Sequence, residues 1–304
     1  MILYFYLQWL GKRPDIIEIT KTQPETITFQ CEFKSHKDLT IIVCGNLSDG
    51  NNYQPSKKHI YSKPQYLMSH LQKAVRRMES MKSLQTAKHL FDLDISSFLR
   101  RLPIIMLEDV YIHPSISVVI WLMIAVSKKY VLQISHIKWL LGVVYFISEN
   151  KEPVFNYQKR EGQFQWDMDM IDPEINTLLY SLRFRQNYGG MKGDMEMIED
   201  YIHQVFHKKI SINDHKIPII NIDVIQTLSH KEWIYQANDF HCNRFILKQV
   251  SKKYPKFTEE YCKQLIWEHS SCINKRHKHN PTNKDDWKHI KSIVTYLQKN
   301  CIFY

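Results

Sequence analysis

The sequence predicts a mainly α fold, a multi-helix globular bundle with a small N-terminal β-rich element. Three observations predict it. Only eight glycines occur in 304 residues, and Gly189, Gly190 and Gly193 crowd into one segment, which disfavours a turn-rich β architecture. The first fifty residues alternate β-branched and aromatic runs with polar breaks, as strands do. After Pro64 the apolar period becomes helical and mostly stays so.

In chain order, strand-like runs cover 2–10, 16–20, 25–33 and 39–44, and Ser48-Asp49-Gly50-Asn51-Asn52 marks a loop. Pro64 suits a first helical turn, and Leu67, Leu71, Ala74, Val75 and Met78 follow at helical spacing. A short helix fits 83–91. Asp94 can cap a third helix running to Val110, which Pro103 should kink or split. His113-Pro114 breaks the chain before two apolar helices at 115–127 and 136–148. Residues 151–172 turn polar and form a boundary. Helical patterns resume at 173–185, 194–207, 223–236, 258–269 and 285–299. No internal repeat is present. This divides the chain into a β-rich element at 1–50 and helical regions at 57–150 and 173–304.

The 44% hydrophobic content fills a sizeable core. A formal charge of +10, from 41 Lys and Arg against 31 Asp and Glu, fits a polyanionic partner, nucleic acid being the commonest. The six cysteines form no CxxC pair, which points to free thiols in a reducing, intracellular compartment. Residues 1–10 lack the basic start and cleavage site of a signal peptide. The apolar runs 116–126 and 139–147 fall short of the roughly 20 residues that cross a bilayer, so no membrane partner is expected.

Several constellations could carry chemistry. Lys73, Arg76 and Arg77 lie three and four residues apart on one helical sector, and Arg100 and Arg101 add a second basic pair; together they read as a face for phosphate or a partner protein. Asp109 falls inside the apolar stripe of Phe98, Leu102 and Ile105 and needs a counter-charge within the fold, with Arg76, Arg77 and Arg100 as candidates. Lys275 and Arg276 open a basic run between Trp267 and Trp287, a mixture that can grip a nucleic-acid strand. Asp239, His241, Cys242 and His269 form an alternative enzymatic site, and Cys242, Cys262, Cys272 and His269 could gather a zinc ion, although none has a diagnostic spacing. A hydrogen-bonded polar knot explains the same residues. The Gly189-Gly190 segment before a helix at Asp194 could approach an anion or be a plain turn. No residue is singled out as catalytic, and no cofactor or metal is expected.

The Leu71-Gln72-Lys73-Ala74-Val75-Arg76-Arg77 helix followed by Arg100-Arg101-Leu102-Pro103-Ile104-Ile105-Met106-Leu107-Glu108-Asp109-Val110 resembles the helical C-terminal region of the RarA/MgsA (Werner-helicase-interacting) AAA+ ATPases. That family carries Leu-Gln-Lys with an arginine pair, then Arg-Arg-Leu and Glu-Asp-Val or Glu-Asp-Ile. The resemblance covers about 57–125, extends weakly to Tyr188-Gly189-Gly190-Met191, and makes 57–150 a collar-like region. The chain is also similar to helical proteins of large DNA viruses over 99–110 and Asp239-Phe240-His241-Cys242. The resemblance implies an oligomerisation and DNA-processing module. It does not carry over the ATPase, because no GxxxxGK[ST] loop is present to cradle nucleotide phosphates. The expected function is an accessory, non-catalytic replication, repair or recombination protein. It would bind nucleic acid, DNA before RNA, or a replication or ATPase partner, and oligomerisation stays open. A nucleic-acid-processing enzyme and a structural virion protein are the alternatives.

Overall fold

The structure is a computed structural model that describes residues 2–36, 39–48, 50–56, 61–152, 173–207 and 215–301. The polar boundary expected at 151–172 lies almost wholly outside them. The chain forms two compact units: Met1–Gln54 with Phe98–Val143 and Val154–Ile222, and Pro55–Ser97 with Val144–Pro153 and Asp223–Tyr304. This division interleaves the chain and does not follow the consecutive blocks 1–50, 57–150 and 173–304.

The first unit is built on a sheet of β1 (Ile2–Trp9), β2 (Ile16–Thr20), β3 (Phe29–His36) and β4 (Leu39–Leu47), ordered β2-β1-β4-β3. Two antiparallel hairpins join through a parallel central pair, with Phe5 opposite Ile19 on one side and Val43 on the other. Phe5, Tyr6 and Leu7 are all buried, as befits a central strand. Helices α3 (Ser115–Ser127) and α5 (Pro173–Tyr188) pack on the sheet. Trp121 on α3 donates its indole N–H to the Phe5 and Cys44 carbonyls at 3.0 Å each, and the Phe184 ring on α5 lies 5.5 Å from that of Phe5. Nearly every residue of α3 is buried, which accounts for its nearly all-apolar sequence. On α4 (Ile134–Glu149), whose residues to Val143 belong to this unit and the rest to the second, Gly142 has no side chain because the Pro218 carbonyl occupies the place of its Cβ. The neighbouring Ile220 N–H reaches the Lys138 carbonyl at 3.2 Å. Helix α6 (Lys192–Phe206) follows α5 and packs on it.

In the second unit, α1 (Pro64–Arg76) begins on Pro64 as the sequence predicts. The helices expected at 83–91 and from Asp94 are one element, α2 (Ser80–Ile105), broken at Asp94, where φ is −159° and ψ 87°. Asp94 caps the second half by accepting from the Ser97 N–H at 2.9 Å. From Phe98 on, α2 belongs to the first unit; there Pro103 stays inside the helix, and a π-helical turn over Met106–Val110 follows it. Helices α7 (Arg244–Lys253), α8 (Glu259–Ile266) and α9 (Lys284–Asn300) enclose a core of Ile246, Val250, Leu265, Ile290 and Val294.

One expected helix is absent. Residues 223–236 form short 3-10 turns, including His230–Glu232 and Tyr235–Asn238. The Ser229 and Glu232 side chains close a capping box around one turn, and the Ile234 N–H is bound by His70 Nε2 at 2.9 Å rather than by a helical carbonyl. These side-chain partners outcompete the helical ladder that periodicity suggested. Among the described residues no helix is long and apolar enough to cross a membrane.

Candidate nucleic-acid interface

The basic sector expected on α1 is not a surface. Lys73 and Arg76 are buried and Arg77 is half-buried, because neighbouring elements cover this helix on nearly every side. Arg76 donates to the Ser271 carbonyl at 2.9 Å and Arg77 to that of Ser270 at 3.4 Å. Lys73 lies 3.8 Å from Asp239. Burial lowers the Lys73 ammonium and raises the Asp239 carboxyl, and each partner's charge partly opposes the shift of the other. Arg276, expected to contact nucleic acid, is only 9% exposed. Its guanidinium donates to the carbonyls of Val75 at 2.9 Å, Ile147 at 2.6 Å and Asn150 at 2.8 Å, gathering the C-terminal ends of α1 and α4. These four basic residues are therefore corrected from ligand contacts to fastenings of the fold: the three arginines donate charge-assisted bonds to backbone carbonyls, and Lys73 faces the Asp239 carboxylate.

The alternative site does not assemble as an accessible centre. Asp239 is sealed at 0% exposure, and its Oδ1 accepts from the His241 N–H at 3.3 Å. His241 is exposed, whereas Cys242 is half-buried with its thiol toward the Gln65 carbonyl. His269 stacks on Trp287 with ring centroids 5.1 Å apart and bonds the Thr282 carbonyl at 2.7 Å. The group is split between a sealed ion pair and a surface stack. Cys262 sits in the apolar core of α7, α8 and α9. Cys272 lies 3.8 Å from His279 Nε2, but burial pushes its thiol up to about 11, away from a reactive thiolate. Among the described residues no three His, Cys, Asp or Glu side chains gather as ion ligands.

In the first unit, Asp109 is buried, as its place in the apolar stripe requires. Arg100, one of its candidate counter-charges, is exposed with its guanidinium 5.7 Å from the Tyr188 ring. Arg101 is held between Asp194 at 3.4 Å and Glu108 at 3.7 Å. Arg185, a residue not singled out from sequence, is buried and donates to the Gly189 and Arg100 carbonyls. It ties the Gly189-Gly190 turn, where Gly189 has φ of +88°, to the second basic pair. Burial and the nearby Arg100 and Arg101 bring the Arg185 guanidinium down to about 10.

Exposed positive charge is concentrated elsewhere. Residues 244–300 contain thirteen Lys and Arg against five Asp and Glu, which is +8 of the whole chain's +10. Eleven of those thirteen are exposed, Lys275 among them; Lys263 is half-buried and Arg276 buried. On α7 the pattern is ordered. Asn243 caps the helix by accepting from the Phe245 N–H at 3.0 Å, and Ile246, Leu247 and Val250 turn inward. Arg244, Lys248 and Lys252 recur every four residues on the outward arc with no ion-pair partner among the described residues. Sequence reasoning missed α7. Its signals were the Asn cap and the interleaving of apolar and basic residues at helical spacing.

The chain is therefore a mainly α protein with an N-terminal mixed sheet and a strongly basic C-terminal helical surface. Compared with protein-family models, curated proteins and solved structures, it matches none.

Proposed function

We propose that this protein is a non-catalytic accessory factor of DNA replication, repair or recombination that binds nucleic acid through its C-terminal helices. The observation that carries this reading is the placement of +8 of the +10 net charge on residues 244–300 with nearly all of the cations exposed. An arc of unpaired cations four residues apart suits a phosphate backbone, because neutralising phosphates releases condensed counterions and draws no charge from the fold. The resemblance of 57–125 to an ATPase collar belongs to the same reading, with a separate ATPase as the partner that supplies a motor.

The test is a salt titration of nucleic-acid affinity for the wild type and for Lys248→Glu/Lys252→Glu. Both positions are exposed, so the variant keeps its fold. Each lost phosphate contact should lower the slope of log affinity against log salt by about 0.7–0.9. An unchanged affinity and slope in the folded variant would remove the phosphate-binding role of this surface.

A further inference from the structure

The same segment, 244–300, carries a second feature. Ten large hydrophobic side chains are exposed among the described residues, and only three of them are aromatic: Phe245 at 51%, Trp267 at 46% and Tyr296 at 66%. All three lie within residues 244–300, the segment that holds most of the chain's excess positive charge. The other seven, Ile2, Leu10, Ile16, Met81, Val131, Met191 and Val224, are aliphatic and lie outside it. Many aromatic rings of this protein pair with another ring, as Trp287 does with His269. Among the described residues Phe245, Trp267 and Tyr296 have no ring or cation against them.

Helical geometry sets two of these rings among polar and basic neighbours. Phe245 is three residues before Lys248 and four before Gln249, so it shares the outward arc of Arg244, Lys248 and Lys252. Tyr296 is four residues after Ser292 and three before Lys299 on the outward side of α9, whose Ile290 and Val294 face the core. Trp267 opens the π-helical turn that follows α8, four residues after Lys263.

We propose that this surface is specific for single-stranded nucleic acid, with Phe245, Trp267 and Tyr296 as stacking platforms for unpaired bases beside the cations that hold the phosphates. This rests on the nucleic-acid reading above and adds the class of ligand. In a duplex the base faces are already stacked on one another, so exposed rings gain nothing from it. In a single strand every base offers a free π-face, and rings interleaved with cations gain from each. Cations alone would bind both forms.

The test is a fluorescence-anisotropy titration of labelled oligothymidylate and of a hairpin duplex with the same number of phosphates. The proteins are the wild type, Phe245→Ala/Tyr296→Ala, Trp267→Ala and Lys248→Glu/Lys252→Glu, each shown to be folded by circular dichroism. Each ring removed should cost at least about fivefold in single-strand affinity while duplex affinity and the salt slope stay unchanged. An equal loss on both ligands, or no loss on either, would overturn the stacking role. The lysine variant separates the two ideas. If it weakens both ligands while the ring variants weaken neither, phosphate binding stands and the single-strand preference falls. If it weakens neither, the underlying reading falls. Tighter binding to phosphatidylserine vesicles than to either oligonucleotide would overturn both in favour of a membrane surface.

Discussion

Arg276 places one guanidinium where two helices end. The Val75 carbonyl, in the last turn of α1, also accepts from the Met78 N–H at 3.0 Å, and the Ile147 carbonyl lies in the last turn of α4, where carbonyls outnumber helical N–H donors. A planar fork reaches several of them at once, and a cation is favoured at helix C-termini. Arg276→Ala should therefore cost on the order of 3 kcal/mol or more, because several buried acceptors lose their donor together. Arg276→Lys should restore only part of that loss, since one ammonium cannot reproduce the fork. Urea unfolding measures both. A cost of only a few tenths of a kcal/mol for Arg276→Ala would mean that water replaces the guanidinium. In sequence Arg276 is one letter of a basic run, and nothing local separates it from exposed Lys275.

The element that most separates pattern from outcome is α1. Its boundaries, its first-turn proline and its apolar residues were legible from spacing alone. Reading Lys73, Arg76 and Arg77 as a face for phosphate or a partner assumes that an amphipathic helix keeps one face in water. Here Asp239, Ser270 and Ser271 meet that face instead. Lys73 and Asp239 should behave as a coupled buried pair. Lys73→Met alone should destabilise by about 3–5 kcal/mol by leaving a buried carboxylate without its counter-charge. Lys73→Met/Asp239→Asn should recover most of this, because the substituted amide keeps an acceptor for the His241 N–H without the charge. Additive losses in the double-mutant cycle would show the two side chains to be independent. On α7 the reverse holds: the pattern of cap, inward apolar residues and outward cations was present in the letters, but the helix is only ten residues long and lies beside Tyr254-Pro255, which reads as a break.

At the scale of the whole molecule, each unit holds, among the described residues, one histidine at 0% exposure. His136 in the first unit accepts from the Gln133 N–H at 3.0 Å and lies edge-on to Trp9. In the second unit His70 stacks on Trp233 and joins Thr86 at 2.7 Å to the Ile234 N–H. Burial pushes both down to about 3 from an ordinary 6.5. Between those values the unfolded chain binds protons that the folded chain refuses, so stability falls as pH falls through that window. Each histidine contributes a slope of up to about 1.4 kcal/mol per pH unit. The half-buried carboxyl of Asp194 and the buried one of Asp239, raised by desolvation, act with opposite sign and soften the decline. His70→Gln and His136→Gln should each flatten the dependence of unfolding free energy on pH between about 3 and 6.5. An unaltered slope in both variants would show that the histidines titrate normally. The net charge belongs to this scale as well. Its total is visible in composition, but its usefulness depends on which cations the fold consumes.

Fold class, the succession of strands and most helices, and the places where the chain breaks could all be read from the letters. Those features follow from local rules: apolar period, capping, proline and the scarcity of glycine act over a few residues. Tertiary packing was needed to settle that Asp94 joins two predicted helices into one broken element, that 223–236 turns in 3-10 steps, and which arginines face water. Burial depends on partners far away in the chain: Arg76 meets Ser271, and Arg276 meets Val75. A basic residue reads the same in sequence whether it awaits a phosphate or already holds a carbonyl, because charge is local and exposure is not.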